Sequence, residues 1–449
     1  MKCAAVVAAL GLASTHAFAQ APPEEPPPEE PPAPAPPSVP VSKPPAQLDS
    51  STTAMWHPRR HFDLQWQLLM IPERIVSLVG IPFELLLRVF EERRLDRRIA
   101  ALLTFRGMTL APRFKFSFGD GLGAGLWIKR GGLFGRHAKV RFGGLARIDR
   151  DWQVEIEYEH QLLFPGGRGL RVRAYVENDK NQRFYGIGGQ SLETDRRVLA
   201  SFDEGALAEV DLQGIDVYKY SGIGQLGLRR QSLSAGTSAG DLPVAVGDTV
   251  TPPPGFDESA AFVDALLVGR YNSTDTVGRP TRGLLLEASV LGRTDVTGKG
   301  LSAATFSGRS SIYLPVLPEH RVLVLSLGGS AATSLFPGDE IPLDSLPELG
   351  RKNVRGYDRE RFRDRYALTA SAEYRFPIYE YLASGAGLDA FAFFDAGTVW
   401  GTTAFALDPF RYSVGGGVRG AHETKLVFEG TVGWSPEGLQ INLGIEKAL

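Results

Sequence analysis

The sequence predicts an all-β protein, a 16-stranded antiparallel transmembrane β-barrel preceded by a short helical segment. Three observations predict it. From Thr109 onward hydrophobicity repeats every second residue. One of the two faces this creates is charged. The long connections fall on one side of the strand order.

The alternation is plain in Val154, Ile156 and Tyr158 against Glu155, Glu157 and Glu159. It recurs in Leu170, Val172 and Ala174 against Arg171, Arg173 and Tyr175, and in Leu439, Ile441, Leu443 and Ile445 against Gln440, Asn442, Gly444 and Glu446. A period of two is that of a strand with two unlike faces. A charged residue on a lipid face costs up to roughly 2–4 kcal/mol at mid-membrane, somewhat less for Glu. The charged face therefore lines water and the apolar face meets acyl chains. A soluble sandwich gives the same alternation, with its apolar faces packed together, so alternation leaves both open.

Connection lengths separate them. Strand segments begin near Thr109, Leu122, His137, Trp152, Leu170, Ala206, Ile223, Ala261, Leu284, Phe306, Val322, Arg365, Leu388, Phe410, Leu426 and Leu439. The long connections, near Asp179–Ser201, Ser232–Ser259, Ala331–Asp364 and Thr398–Pro409, are all odd-numbered, while even ones such as Leu317–Glu319 and Ala421–Glu423 are short. Short periplasmic turns and long outer loops are the habit of bacterial barrels.

Upstream, Met1–Ala19 has Lys2, an apolar stretch from Ala4 to Leu12 and the small-residue ending Ala17-Phe18-Ala19, which reads as a secretory signal. Residues 20–54 read as a disordered tether, with proline and glutamate crowding Ala21–Ser50, extended because each proline fixes φ. Residues 55–108 read as an amphipathic helical segment at the barrel mouth or the membrane interface. Leu68, Leu69, Ile71, Ile75, Leu78 and Val79 are followed by Pro82 and then by Leu85, Leu86, Val89 and Phe90. Residues 109–449 read as the barrel. Lys+Arg and Asp+Glu total 49 and 51, so charge points to no nucleic acid and names no partner. The single cysteine, Cys3, lies inside the signal and excludes a cysteine nucleophile.

No enzyme, cofactor or metal site is expected. Gly222-Ile223-Gly224-Gln225-Leu226-Gly227 has the letters of a dinucleotide fingerprint, but the period stays at two where a helix must follow. His57 and His61 are spaced as metal ligands on a helix, with Pro58 between them and no third ligand. The histidines assemble no Ser-His-Asp set.

The stretch Gly350–Phe362 crowds basic residues into a glycine-containing turn. Its Val354-Arg355-Gly356-Tyr357, followed by Glu373-Tyr374-Arg375-Phe376-Pro377 and Phe393-Phe394-Asp395-Ala396-Gly397, resembles the sixth-loop signature of the BamA/TamA-type barrels, the bacterial surface antigen family. Arg183–Gly188 and Arg279–Gly283 are similar to the same family. The chain would be a short member without periplasmic POTRA repeats, and its last residues, Glu446–Leu449, lack the terminal aromatic common there.

Alternation places Thr369, Ser371, Glu373 and Arg375 on the lumen face of the twelfth strand, and Asp389, Phe391, Phe393 and Asp395 on that of the thirteenth, with Leu388, Ala390, Ala392 and Phe394 towards lipid. The expected loop-anchoring residues are Arg355, Gly356, Tyr357, Glu373 and Asp395. Loop 331–364 folds inward, Arg355 bonds both carboxylates, Gly356 permits the tight backbone, and Tyr357 packs on the wall. The resemblance implies the same contact. It also implies a role in inserting or translocating protein or lipid at the outer membrane, through a weak seam between first and last strands. The glycines Gly119, Gly121, Gly123 and Gly125 would loosen that seam. A gated channel or structural barrel, closed by its N-terminal helices and sixth loop, is the alternative. Outer-membrane lipids, lipopolysaccharide included, and an outer-membrane protein client are the partners to expect, with the tether in the periplasm. Oligomeric state is left open.

Overall fold

The computed structural model describes residues 104–445, apart from 106, 118–120, 149–150, 165–167, 214–218, 238–240, 248–249, 318–320, 382–385, 403, 406–408 and 423–424. The predicted signal, tether and nearly all of the predicted helical segment, with His57 and His61, lie outside the described residues.

Sixteen long strands follow one another as antiparallel neighbours. They are β1 (Met108–Ser117), β2 (Gly121–Gly131), β3 (Ala138–Arg147), β4 (Trp152–Phe164), β5 (Arg168–Phe184), β6 (Arg197–Gln213), β7 (Tyr220–Ala235) and β8 (Ser259–Asn272), then β9 (Gly283–Asp295), β10 (Ala303–Leu317), β11 (Arg321–Ser334), β12 (Tyr366–Tyr381), β13 (Ala386–Trp400), β14 (Arg411–His422), β15 (Lys425–Ser435) and β16 (Gly438–Ile445). The last meets the first at Ser117↔Asn442, so the pairing returns on itself. Among the described residues that seam is one residue pair, whereas β15 and β16 pair from Phe428↔Ile445 to Ser435↔Gly438.

Two boundaries and one face differ from expectation. Thr104–Phe105, predicted to end the helical segment, is extended and pairs back on Thr109 and Met108 around Gly107, whose φ of 76° suits a glycine turn. β6 starts at Arg197 rather than Ala206, because β5 and β6 continue pairing to Phe184↔Arg197 past an irregularity between Asp179 and Gln182. Leu388 and Ala390 are buried rather than lipid-exposed, Ala390 being a small side chain between Phe376 and Val418. Register also shifts after Pro315 and after Pro377, where a residue without an N–H cannot donate to the ladder.

The faces sort as the alternation requires. Val154, Ile156, Leu226, Leu228, Leu267, Phe306, Leu327, Val432 and Trp434 are exposed, while Glu155, Glu157, Arg293, Glu373, Asp389 and Asp395 are buried. Inward charges are paired: Arg141 and Arg171 reach Glu157, and Arg173 reaches Glu155. The glutamates of β4 are thus wall ion pairs. The decoy Gly222–Gly227 lies within β7.

Connections 185–196, 236–258 and 335–365 are long and odd-numbered. Ile341, Leu343 and Leu346 of the last pack with Phe184, Leu199, Leu233, Val244 and Val250 in one apolar cluster at that rim. Burying such side chains is worth about 1.5–3 kcal/mol each.

Candidate functional site

Connection 335–365 turns back on itself through a small antiparallel pair, Glu348↔Arg363 and Leu349↔Phe362. Inside it Gly350 N–H donates to Asn353 Oδ1 (2.9 Å), and the Val354 and Asn353 amides donate to Gly350 O (2.7 and 3.0 Å). Side-chain and backbone bonds of this kind favour turns over helix or ladder. A Cβ at Gly350 would lie 2.5 Å from Asp358 O, so the two arms close only on glycine.

The tip carries Arg355 to the walls of β12 and β13. Its backbone N donates to Asp395 Oδ2 (3.1 Å), its Nε to the same oxygen (2.8 Å), its Nη2 to Asp395 Oδ1 (2.9 Å), and its Nη1 to Glu373 Oε2 (2.5 Å). The fork matches a carboxylate, which gives the contact direction as well as charge. Ser371 Oγ donates to Asp395 Oδ1 (2.6 Å) and accepts from Arg355 Nη2 (3.3 Å). The guanidinium lies over the Phe393 ring, 3.7 Å from its centre. Glu373 also takes Arg375 (2.6 Å) and Arg419 (3.2 Å), and Arg419 continues to Glu429 (2.6 Å).

Gly356 lies flat on β14 and β15. A Cβ there would meet Ser413 Cβ at 2.6 Å and the Trp434 carbonyl at 2.9 Å, and Ser435 Oγ donates to Gly356 O (2.8 Å). The wall is glycine there too: a Cβ at Gly433 would be 3.0 Å from the Arg355 carbonyl, and Cβ atoms at Gly415 and Gly417 would lie 2.6 Å from the Phe393 and Phe391 rings. Tyr357 is 1% exposed and packs edge-on against Phe362, with Leu349 and Val354 in the same cluster. Asn442, the residue of β16 that makes the seam pair, turns its amide to the loop: Nδ2 donates to Arg355 O (3.5 Å) and Oδ1 accepts from Arg351 (3.3 Å).

All five residues singled out in the sequence therefore stand in one place. Others were missed. Ser371 shares the inward parity of Glu373 and could have been found from it. Asp344 had no signal: it accepts from Arg293 (2.6 Å) and from Arg229, which also hold Asp264 and Asp203 on the far wall. Asp358 takes Arg183 and the Tyr185 hydroxyl (2.8 Å), and burial together with that carboxylate pushes the Tyr185 phenol up, keeping it a donor. Glu360, at φ 55°, receives Gln182 Nε2 (3.0 Å), Arg359 Nε (3.0 Å) and Arg363. Burial pushes its carboxyl up, but Arg363 and Arg359 outweigh that and hold it at about 2. Arg361, 1% exposed, reaches Glu437 (2.8 Å) and Ser191. A polar cavity of about 460 Å³ remains between the loop and the wall, lined by Asp203, Arg229, Thr305, Asp344, Lys352 and Glu360.

Sixteen long antiparallel strands whose pairing returns on itself, with connection 335–365 tied down inside, make an all-β barrel. Residues 263–422, which contain the loop and both carboxylates, match the Omp85 superfamily domain. The fold is similar to that of BamA from Haemophilus ducreyi lacking POTRA domains 1-3, with TM-score 0.57 and 16% identity over 76% of this chain and 70% of that one. It is also similar to CdiB from Escherichia coli, with TM-score 0.50 and 11% identity over 76% of this chain and 62% of that one. At these identities the likeness is one of fold. No curated protein matches the chain by sequence.

Proposed function

We propose that this chain is an outer-membrane barrel that assists insertion or translocation of protein or lipid, with outer-membrane lipids, lipopolysaccharide among them, and an unfolded outer-membrane protein as partners. Residues 1–19 act as its signal, 20–54 as a periplasmic tether, and 55–103 as a helical segment at the mouth or the interface. Arg355, Gly356, Tyr357, Glu373 and Asp395 anchor the loop. It does no covalent chemistry.

The observation that supports this reading best is the seam. Among the described residues one backbone pair, Ser117↔Asn442, joins β16 to β1, and the Asn442 side chain holds the anchored loop. An edge strand with unpaired N–H and C=O groups is a template for another strand. The edges of β1 and β16 that meet at this seam are where an entering strand would pair, while the loop keeps the rest of the wall in shape. Serine-to-cysteine and asparagine-to-cysteine changes at 117 and 442 would lock the seam. In liposomes holding the purified barrel, the parent should speed folding of a denatured outer-membrane protein, and the oxidised double variant should lose that effect until reduced. Equal folding rates with and without the parent barrel would end this reading.

The alternative, a gated channel or structural barrel, draws support from the polar cavity beside the loop. Planar-bilayer conductance with and without residues 55–105 separates the two: a large steady pore favours the channel.

A further inference from the structure

Even-numbered connections are short, with one exception. Residues 273–282, between β8 and β9, form the longest even connection among the described residues, and they are built rigidly. Asn272 Oδ1 accepts from Thr274 N (2.9 Å) and Oγ1 (2.6 Å). Asp275 Oδ1 accepts from Thr281 N (2.9 Å) and Thr276 N (3.0 Å). Gly283 closes the turn at φ 113°, where a Cβ would meet Ser273 O at 2.5 Å. This arm holds Arg279 out. Its Nε donates to Asp389 Oδ2 (2.8 Å) and Oδ1 (3.0 Å), and its Nη2 also bonds Oδ1. The guanidinium lies against Gly387, where a Cβ would be 2.6 Å from its central carbon.

Asp389 is on β13, and β9 to β12 stand between that strand and the β8–β9 turn in the sheet. The contact is therefore no neighbour-strand pair. It is a chord across the inside of the rim, at the end opposite the anchored loop. The loop rim joins an apolar cluster to the ion pairs of the loop. The other rim is crossed by an ion pair whose side chains are 16% and 7% exposed. Arg419 faces Asp389 across the β13–β14 pairing, but it is engaged with Glu373 and Glu429.

We propose that the 273–282 turn is a strap whose Arg279–Asp389 clasp shuts the periplasmic mouth of the lumen, so that small polar solutes enter from that side only when the clasp opens. The clasp rests on the membrane-barrel reading alone and not on any client. Ser326 is a reporter: it faces inward on β11, bonded to Ser311 (2.8 Å), and the single cysteine of the chain is Cys3. The test introduces S326C into the full-length protein in vesicles and measures its labelling by a charged maleimide added from the periplasmic side.

Arg279→Ala removes the clasp from the turn, and Gly387→Val displaces the guanidinium from the wall. Each should raise the labelling rate about tenfold, the factor that loss of one charge-assisted pair allows. Heat-modifiable mobility shows whether each variant is a folded barrel, which keeps failure of the clasp distinct from failure of the barrel. A folded Arg279→Ala that labels at the parent rate overturns the proposal. If that variant does not fold, a folded Gly387→Val labelling at the parent rate overturns it equally.

Discussion

Arg355 meets Asp395 through three of its nitrogens, the backbone N, Nε and Nη2, at 3.1, 2.8 and 2.9 Å. Both main chain and side chain of the loop are thereby referred to one carboxylate of β13, which is 1% exposed. Among the described residues Arg355 is the only cation within ion-pair distance of Asp395, whereas Glu373 keeps Arg375 and Arg419.

Replacing Arg355 by Ala should therefore cost stability mainly at Asp395. Breaking a buried pair by removing one partner costs roughly 3–5 kcal/mol. Denaturant unfolding in detergent, followed by heat-modifiable mobility, should show a lower midpoint, with Arg355→Lys falling between because a point charge cannot reproduce the fork. Unchanged folding, mobility and membrane level in Arg355→Ala would remove the anchor from this account.

Gly356→Ala should cost about 1–3 kcal/mol by overpacking, since its Cβ meets Ser413 Cβ at 2.6 Å and the Trp434 carbonyl at 2.9 Å. The same unfolding measurement reads it. Gly269→Ala, at an ordinary φ and with nothing within 4 Å, is the control for replacing a glycine without crowding.

Asp344→Asn should loosen the far end of the loop less than Arg355→Ala loosens the tip. Arg229 and Arg293 keep Asp203 and Asp264, so no bare guanidinium is left on the wall, and Ile341, Leu343 and Leu346 remain packed. Limited proteolysis should cut residues 335–349 only a few times faster than in the parent. Cleavage there as fast as in an unfolded chain would assign the anchoring to Asp344 instead.

Glu360 gives a pH signature outside the membrane-spanning strands. Its folded value, about 2, lies below the ordinary 4.5, so the unfolded chain binds the proton more tightly. Its contribution is then full above 4.5 and is lost as pH falls towards 2, a difference on the order of 3 kcal/mol. Glu360→Gln should flatten the stability profile between those limits, and an unchanged slope would refute the assignment.

Strand number, the order of the connections and the inward parity of Glu373 and Asp395 were legible because each is a local or periodic property. A lipid face and a water face impose period two wherever the chain crosses, and the sequence records it residue by residue. The start of β6 at Arg197 was not legible, since strands may go on pairing past the apolar band once alternation no longer has to obey lipid. The buried position of Leu388 was likewise decided by neighbouring strands.

By itself, then, the sequence determined a two-faced barrel and the residues poised to tie a loop inside it. Only the tertiary structure decided that Asn442 joins the seam to that loop, that Asp344 reaches the wall opposite Arg355, and that Arg279 crosses the other rim to Asp389. These contacts link strands far apart in order, and their geometry comes from how a twisted sheet curves until its ends meet. No repeat in the chain encodes such a distance.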